Sequence, residues 1–361
     1  MMGPSLLTFA IAFVVSLAVA VPVRRLALRF GMVDLPGPRK IHLEPVPLLG
    51  GISIYTAVIL ALLVLNRGEP LRPIAGIIAA ATLLLLIGTL DDWGLLHHQL
   101  KLFLGFPIAG LILLASGTRA QVFSSRLPGR FGTIADAILT VFWITAITAS
   151  FSILDYMDGL CAGIAAIASL FIATLAILNS QVLVASLAAA VVGAALGYLR
   201  WNFSPAKMFM GDGGAMFLGF LVAAMALKLR ISAASQTAAW LVPVLIVGVP
   251  ILDTALVSVS RLGRGLIPFT SPGKDHTGHR LANCGIGTRG SVLLMYAAGA
   301  GFGGLAVVCV RLAPGQVARL GALLVLALCG AIAVLEYLPF ERQGTKAKQL
   351  STHPTPPESA T

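Results

Sequence analysis

The sequence predicts an all-α protein that crosses a membrane ten or eleven times. Of its 361 residues, 58% are hydrophobic and only 11% are charged, whereas a soluble domain has about 25% charged residues. The mean hydropathy is +0.94. Because about 20 apolar residues cross a bilayer as a helix, eleven windows qualify as spans: residues 5–23, 50–65, 72–90, 101–116, 132–153, 162–178, 182–200, 213–229, 238–256, 291–311 and 317–335. Several windows are short or rich in glycine, so ten is the alternative count.

The first window resembles a signal peptide but lacks its charge pattern. The segment MMGPS carries no Lys or Arg, and Arg24 and Arg25 follow the apolar run, which predicts an uncleaved span with its N-terminus outside. With eleven spans, the larger share of Lys and Arg falls on the side of Arg24, so this side is predicted to be cytoplasmic. We expect a multi-pass protein of the inner or plasma membrane. Residues 1–340 should form one transmembrane catalytic domain, and the polar, Pro-rich residues 341–361 a disordered cytoplasmic tail.

The net charge of +11 suits anionic lipid headgroups or anionic substrates. Nucleic acid is not an expected partner, because no basic domain with interleaved aromatic residues is present. The four cysteines are scattered without paired spacing, so neither a disulfide framework nor a zinc site is indicated.

Two adjacent carboxylates, Asp91 and Asp92, end the third predicted span in the stretch LLLLIGTLDDWG. The helix macrodipole is negative at that end and disfavours each carboxylate by about 0.3–1 kcal/mol. A solvated helix end is one interpretation. The electrostatic cost favours a compensating cation instead, either a metal ion or a nearby Lys.

Three further aspartates fall on the same predicted side. Asp155 and Asp158 would share one helix face if the fifth span continued that far, whereas Asp158 before Gly159 is also typical of a turn. Asp212 lies among glycines in MFMGDGGAMFLG at the start of the eighth span. It could cap that helix, or the helix N-terminus could bind a phosphate. The sequence favours neither.

The longest predicted cytoplasmic loop, RLGRGLIPFTSPGKDHTGHRL, is rich in cations. Two histidines are too few for a zinc site, so contact with an anion such as a pyrophosphate is the better prediction. The residues that we expect to bind substrate there are Arg264, His276, His279 and Arg280.

Taken together, the aspartates offer the hard oxygen ligands that suit Mg²⁺, with Mn²⁺ as a substitute, and Mg²⁺ commonly bridges substrate phosphates. Phosphoryl transfer depends mostly on positioning and electrostatic stabilisation. A site of this kind at a membrane surface points to a lipid substrate.

Five motifs in one order resemble the polyprenyl-phosphate N-acetylhexosamine-1-phosphate transferases of glycosyltransferase family 4. They are PGPRKIHLEPVPLLGG from Pro36, GTLDD followed by Lys101, DYMDG, MGDGG and DHTGHRL. The DHTGHRL loop is closer to the branch that uses UDP-GlcNAc or a related amino sugar than to the translocases that use UDP-MurNAc-pentapeptide.

The resemblance implies that a polyprenyl phosphate attacks the sugar-linked phosphate of a UDP-amino sugar and releases UMP on the cytoplasmic face, initiating a cell-envelope glycan. Asp212 matches the metal ligand, with Asp92 beside it. Dimers occur in the family, so a homodimer is among the expectations. The remaining matches are Asp91, Asp92, Asp155 and Asp158 as catalytic residues, and Lys40 and Lys101 as phosphate contacts. Ser152, which stands at a usual Asn position, is also expected to contact substrate.

Some positions depart from the family pattern. Ala149 and Ser152 stand at two usual Asn positions, and Tyr156 stands where Gly or Asn is common. The family's loop usually carries three histidines, whereas this chain has two, His276 and His279. These departures bear on the identity of the sugar more than on the fold. They keep open the alternative of a catalytically silent relative that binds UDP-sugar or lipid. A second alternative, from another class, is a cation-coupled transporter, since charged residues within spans often mark ion pathways.

Overall fold

The computed structural model describes residues 2–36, 44–65, 72–96, 98–127, 129–232, 236–268 and 273–338. Lys40 and the tail predicted at 341–361 lie outside these residues. The described part contains a two-stranded antiparallel sheet, β1 (Val33–Asp34) and β2 (Val46–Pro47), and otherwise helices. The helices are α1 (Met2–Arg29), α2 (Gly50–Leu65), α3 (Arg72–Asp92), α4 (His98–Leu100), α5 (Phe106–Ala115), α6 (Arg130–Leu154), α7 (Leu160–Leu178), α8 (Val182–Asn202), α9 (Gly211–Lys228), α10 (Gln236–Ile246), α11 (Gly248–Leu262), α12 (Thr277–Leu281), α13 (Gly287–Cys309) and α14 (Pro314–Tyr337).

The helices confirm an all-α polytopic membrane protein. Within the described residues, 8 helices are long and apolar enough to cross a membrane, or up to 9 if the bent pair α10 and α11 is one span. Two shorter apolar helical segments, Gly50–Val64 and Lys101–Ala115, occupy the two remaining predicted windows. Each of the eleven windows is therefore helical, and α1 extends well beyond its predicted end.

Two windows are less regular than predicted. The window 238–256 was expected to be one continuous helix, but α10 and α11 meet at a bend of 70°. Pro243 lies inside α10 and Pro250 near the start of α11, and neither can donate a backbone N–H to the helix ladder. Gly248 at the bend packs so closely on Phe302 that an added Cβ would lie 2.8 Å from its ring. The window 101–116 begins with a π-helical turn, Lys101–Gly105, before α5.

Helix α9 forms the centre of the bundle. Every residue from Gly213 to Ala226 is buried, and α9 packs against α2, α3, α6, α7 and α8. A helix that is apolar on all sides is stable only when other helices surround it. The first turn of α9 is consequently held by its neighbours rather than by solvent.

Paired glycines bring the start of α9 against α2 and α3. A Cβ added to Gly88 of α3 would lie 2.4 Å from the Cα of Gly213, and a Cβ added to Gly51 of α2 would lie 2.4 Å from the Cα of Gly214. Small residues at such crossings let two backbones touch, as in other membrane helices. The glycines of three sequence motifs thus join the end of α3, the start of α2 and the start of α9.

Candidate active site

The carboxylate of Asp92, at the end of α3, caps the N-terminus of α9. It accepts hydrogen bonds from the backbone N–H of Asp212 at 2.9 Å and of Gly213 at 3.4 Å. These donors have no partner inside their own helix, and the positive end of the α9 dipole faces the carboxylate. Gly211 has a φ of +74°, and a Cβ there would lie 2.4 Å from Asp92 Oδ2. The interpretation of Asp212 as a helix cap is therefore wrong, since α3 supplies the cap.

Lys101 forms ion pairs with the two aspartates next to Asp92 in the site, Asp91 and Asp212. The ammonium of Lys101 lies 2.7 Å from Asp91 Oδ2 and also donates to Asp212 Oδ2. Ser152 Oγ donates to the other oxygen of Asp212 at 3.2 Å. The sequence predicted a cation beside Asp91 and Asp92, and this lysine is that cation. Asp91, Lys101 and Asp212 belong to three different helical segments, so the site depends on tertiary packing.

Asp155 completes a group of carboxylates, hereafter the aspartate cluster: Asp91, Asp92, Asp155 and Asp212. Asp155 follows the last residue of α6. Burial, together with the negative charges of Asp212, Asp92 and Asp158, raises its pKa to about 8. The neighbouring carboxylates thus disfavour a further negative charge at Asp155, and a bound cation would relieve this repulsion.

Asp158 faces a different partner from Asp155. Helix α6 ends at Leu154, so the two aspartates do not share a helix face, and the turn interpretation is confirmed. Asp158 Oδ2 accepts from the backbone N–H of Ala206 at 2.9 Å. Gly159 follows with a φ of +78° and donates its N–H to Asn202 Oδ1 at 3.0 Å. Asp158 thus holds the loop that leads into α9, and its catalytic role stays a prediction.

The histidine loop, residues 273–281, is anchored to α11. It consists of the DHTGHRL motif and the two residues before it. Asp253 Oδ2 lies 2.9 Å from His276 Nδ1, and Asp253 Oδ1 accepts from the backbone N–H of Thr277 at 2.7 Å. A carboxylate at Nδ1 fixes the orientation of the imidazole and leaves Nε2 for another partner.

Tyr156 connects the histidine loop to the aspartate cluster. Its ring stacks on His276, with centroids 4.1 Å apart, and lies 4.9 Å from the His279 ring. Its hydroxyl accepts from the backbone N–H of Gly278 at 2.9 Å and donates to Asp253 at 3.3 Å. Because Tyr156 directly follows Asp155, one short turn orders both parts of the site.

The arginines of this region bind carboxylates of the protein itself. Arg261 binds both oxygens of Asp275, at 2.9 and 3.1 Å, and Arg264 donates to the same carboxylate. Arg280 is 0% exposed and donates to Asp275 O, Leu335 O, Ser260 and Glu336. The expectation that Arg264 and Arg280 bind substrate is therefore corrected for Arg280, whose enclosed guanidinium positions the loop. Arg264 is only partly covered.

The structure thus brings together Asp91, Asp92, Lys101, Ser152, Asp155 and Asp212, with His276 and His279 joined to them through Tyr156. Sequence reasoning did not assign a role to Asp253, Tyr156 or Asn202. Asp253 was visible as a lone acid within a strongly apolar window, which is a signal for a buried, partnered carboxylate. Nothing in the sequence marks Asn202.

The aspartate cluster suits a divalent cation by its chemistry. Among the described residues, no three His, Cys, Asp or Glu side chains are already arranged around one metal position. Mg²⁺ does not need such a cage, because it commonly takes one or two carboxylates and completes its shell with water and substrate phosphates. Asp92 and Asp212 offer two carboxylates, and the hydrogen bond from the backbone N–H of Asp212 to Asp92 holds the two residues next to each other.

The fold defines a polytopic membrane protein with a carboxylate cluster at one end of its bundle, and sequence comparison identifies its class. The family model described as glycosyl transferase family 4 matches residues 74–230, which include the GTLDD, DYMDG and MGDGG motifs. The chain is 34% identical over 306 residues to a protein of Bacillus subtilis (strain 168), covering 83% of this chain and 84% of that protein. The chain therefore belongs to glycosyl transferase family 4.

Within this family, the chain belongs to the polyprenyl-phosphate N-acetylglucosamine-1-phosphate transferase branch. The Bacillus relative is named a probable undecaprenyl-phosphate N-acetylglucosaminyl 1-phosphate transferase. A decaprenyl-phosphate N-acetylglucosaminephosphotransferase of Mycolicibacterium smegmatis is 33% identical over 304 residues, which are 76% of this chain and 74% of that protein. An undecaprenyl-phosphate alpha-N-acetylglucosaminyl 1-phosphate transferase of Escherichia coli (strain K12) is 27% identical over 291 residues, with 77% and 76% covered.

Proposed function

We propose that this protein transfers N-acetylglucosamine-1-phosphate from UDP-GlcNAc to undecaprenyl or another polyprenyl phosphate at the cytoplasmic face of the membrane. The observation that carries the proposal is the convergence of four aspartates and Lys101 at one end of α9. The names of the relatives support the acceptor and the transferred group. The reaction would initiate a cell-envelope glycan.

In the proposed reaction, an oxygen of the lipid phosphate attacks the sugar-linked phosphorus of the UDP-sugar. The bond from that phosphorus to the bridging oxygen breaks, and UMP leaves with the electron pair. The lipid then carries the sugar through a diphosphate. Both substrates are anionic, so the protein must position phosphates close to one another against their mutual repulsion.

The residues of the site can divide this work between them. Lys101 places a positive charge between Asp91 and Asp212 and can shift toward a phosphate oxygen as a point charge. Ser152 can orient Asp212 through its hydrogen bond. The His276 ring, which stacks on Tyr156, and the His279 ring, which is tilted against it, can donate hydrogen bonds to the diphosphate. In this proposal Asp91 or Asp92 removes a proton from the lipid phosphate before it attacks.

Mg²⁺ is the proposed cofactor, with Asp212 and Asp92 as the residues that would hold it. When bound, the ion would neutralise charge on the diphosphate oxygens and so favour departure of UMP. Phosphoryl-transfer sites generally obtain their rate from this kind of electrostatic stabilisation.

The geometry favours the transferase over a cation-coupled transporter. Transporter sites usually lie near the membrane midplane between broken helices. Here the aspartate cluster lies at the last residues of α3 and α6 and at the first turn of α9, which places it at one end of the bundle.

The test is a transfer assay with the purified full-length protein in detergent, given UDP-GlcNAc, undecaprenyl phosphate and Mg²⁺. We expect equal amounts of UMP and lipid-linked sugar, and no UMP without the lipid. If UDP-GlcNAc is inactive, a panel of other amino-sugar, deoxy-sugar and uronic-acid donors identifies the sugar. Absence of UMP with every donor, from protein that remains folded, would refute the proposed reaction and favour the silent relative.

A further inference from the structure

A polar cavity lies at the other end of α9 from the aspartate cluster. Helix α9 has 18 residues, which makes it about 27 Å long, close to the thickness of the hydrocarbon core of a bilayer. The cavity has a volume of about 450 Å³. Its wall consists of the end of α9, the start of α8 and the turn after α5, with Thr118, Ser180, Gln181, Lys228 and Arg230 as its polar residues.

Hydrogen bonds between loops fix the wall of this cavity. Gln181 Oε1 accepts from the backbone N–H of Arg230 at 2.8 Å, and the Gln181 side-chain amide donates back to the Arg230 carbonyl. Asn179 Oδ1 accepts from the backbone N–H of Ser232 at 2.9 Å. The segment after α9 is therefore clamped to the turn before α8, and the cavity is formed before any ligand binds.

Two cations share the cavity without a carboxylate beside them. In the described part of the chain, Lys228 makes only a long hydrogen bond of 3.4 Å, to Thr118 Oγ1, and Arg230 Nη1 binds Gln121 Oε1 at 2.6 Å. No acidic residue lines the cavity. Asp136, on nearby α6, uses its carboxylate for three backbone N–H groups of residues 122–124. The positive charge at this end of α9 is thus uncompensated by the described residues.

We propose that this cavity, formed around Lys228 and Arg230, binds the phosphate of an anionic phospholipid headgroup. Lys and Arg are the usual partners of phosphate, because they form charge-assisted hydrogen bonds with its oxygens. Apolar residues such as Val182 and Leu227 share the cavity wall, as a lipid's glycerol region requires. Lipid phosphates are concentrated at the membrane surface, where this end of α9 lies. This site is independent of the proposed transferase reaction.

Native mass spectrometry of the delipidated full-length protein tests the proposal. Phosphatidylglycerol, phosphatidylcholine and inorganic phosphate are titrated separately. We expect one phosphatidylglycerol to be retained by the wild type, with weaker retention of phosphatidylcholine, whose choline neutralises the phosphate. The double variant Lys228→Gln with Arg230→Gln should bind phosphatidylglycerol on the order of tenfold more weakly, because two charge-assisted hydrogen bonds are lost.

The matched control is Arg319→Gln, which removes an exposed cation on α14 that does not line the cavity; its lipid retention should equal that of the wild type. Thermal unfolding of the lipid-free proteins shows whether the double variant is folded, and Lys228→Gln alone replaces it if it is not. If inorganic phosphate displaces phosphatidylglycerol, the ligand of the site is a phosphate taken from solution and not a lipid headgroup. Equal retention of phosphatidylglycerol by wild type and folded variant, or equal retention of the two lipids by the wild type, would overturn the proposal.

Discussion

At the scale of single residues, Tyr156 joins two parts of the site that are far apart in sequence. Its hydroxyl contacts Gly278 and Asp253, 122 and 97 residues away along the chain, while its neighbour Asp155 belongs to the aspartate cluster. Tyr156 is therefore one of the side chains that set the position of the histidine loop relative to the aspartates, and removing the hydroxyl tests its part without removing the ring.

We predict that Tyr156→Phe raises the KM for the UDP-sugar several-fold and changes kcat less. The stacking on His276 remains, but the backbone N–H of Gly278 loses its acceptor, which costs about 1–3 kcal/mol when the group is buried. Steady-state kinetics measure both constants. The control is Tyr55→Phe, because the Tyr55 hydroxyl contacts Thr82 away from the site. An unchanged KM in the Tyr156 variant would show that the loop is positioned without this hydroxyl.

Asp275 gives a pH-dependent stability with a definite sign. Burial opposes its ionisation, but the hydrogen bonds and charges of Arg261 and Arg264 hold the pKa at about 2, below the ordinary 3.8. Because folding lowers this pKa, the carboxylate stabilises the protein above about pH 4, and the contribution is lost as the pH falls through about 2.

We predict that Asp275→Asn lowers the unfolding temperature at pH 6 and that the difference from the wild type shrinks between pH 4 and pH 2. Thermal unfolding in detergent at several pH values measures this. Glu44, an exposed carboxylate, provides the control variant Glu44→Gln. A difference between wild type and Asp275→Asn that stays constant down to pH 2 would contradict the assignment of Asp275 as an ionised partner of the arginines.

At the scale of helices, the crossing of α3 and α9 determines how closely Asp91 and Asp92 approach Asp212. We predict that Gly88→Ala lowers the free energy of unfolding by about 1–3 kcal/mol, the usual cost of overpacking, and reduces the transfer rate more than 10-fold. The added Cβ would meet backbone atoms of Gly213, so α9 must move away from α3.

The matched control is Gly304→Ala in α13, because no atom lies within 4 Å of a Cβ added there. Its activity should be unchanged, and its helix slightly stabilised. The measurements are thermal unfolding and UMP release. Equal activity of the Gly88 and Gly304 variants would mean that the close crossing does not position the aspartates.

Helix α14, the last helix among the described residues, contacts the histidine loop through its last turn. Glu336 accepts hydrogen bonds from Arg280 at 2.9 Å and from Ser260 at 3.0 Å. We predict that Glu336→Ala lowers the free energy of unfolding by about 1–3 kcal/mol, because the buried Arg280 guanidinium loses an acceptor. Glu336→Gln, which keeps an acceptor oxygen, should cost less. Chemical unfolding in detergent compares the two, and an unchanged stability of Glu336→Ala would rule out this anchoring role.

At the scale of the whole molecule, hydropathy predicted the spans well because a helix that crosses the hydrocarbon core must be apolar whether it faces lipid or other helices. It did not predict the bend between α10 and α11, because apolar content carries no information on helix direction. Paired carboxylates and glycines located Asp91, Asp92 and Asp212. The engagement of Arg280 could not be predicted, since its partner Glu336 lies 56 residues further along the chain and no local pattern connects them.

The central claim is that the aspartate cluster at the start of α9 performs the transfer with Mg²⁺. The most direct measurement compares UMP release by the wild type, Asp212→Asn and Asp136→Asn, with Mg²⁺ and after its removal by a chelator. Asp136, a buried aspartate near the other end of the bundle, is the control: its variant should unfold at a lower temperature yet retain turnover while folded. Asp212→Asn should remain folded and lose about 10²–10³-fold in kcat, the range for loss of an electrostatic catalytic group, and chelation should abolish wild-type turnover. Substantial turnover by Asp212→Asn, or wild-type turnover that persists without divalent cations, would contradict the claim.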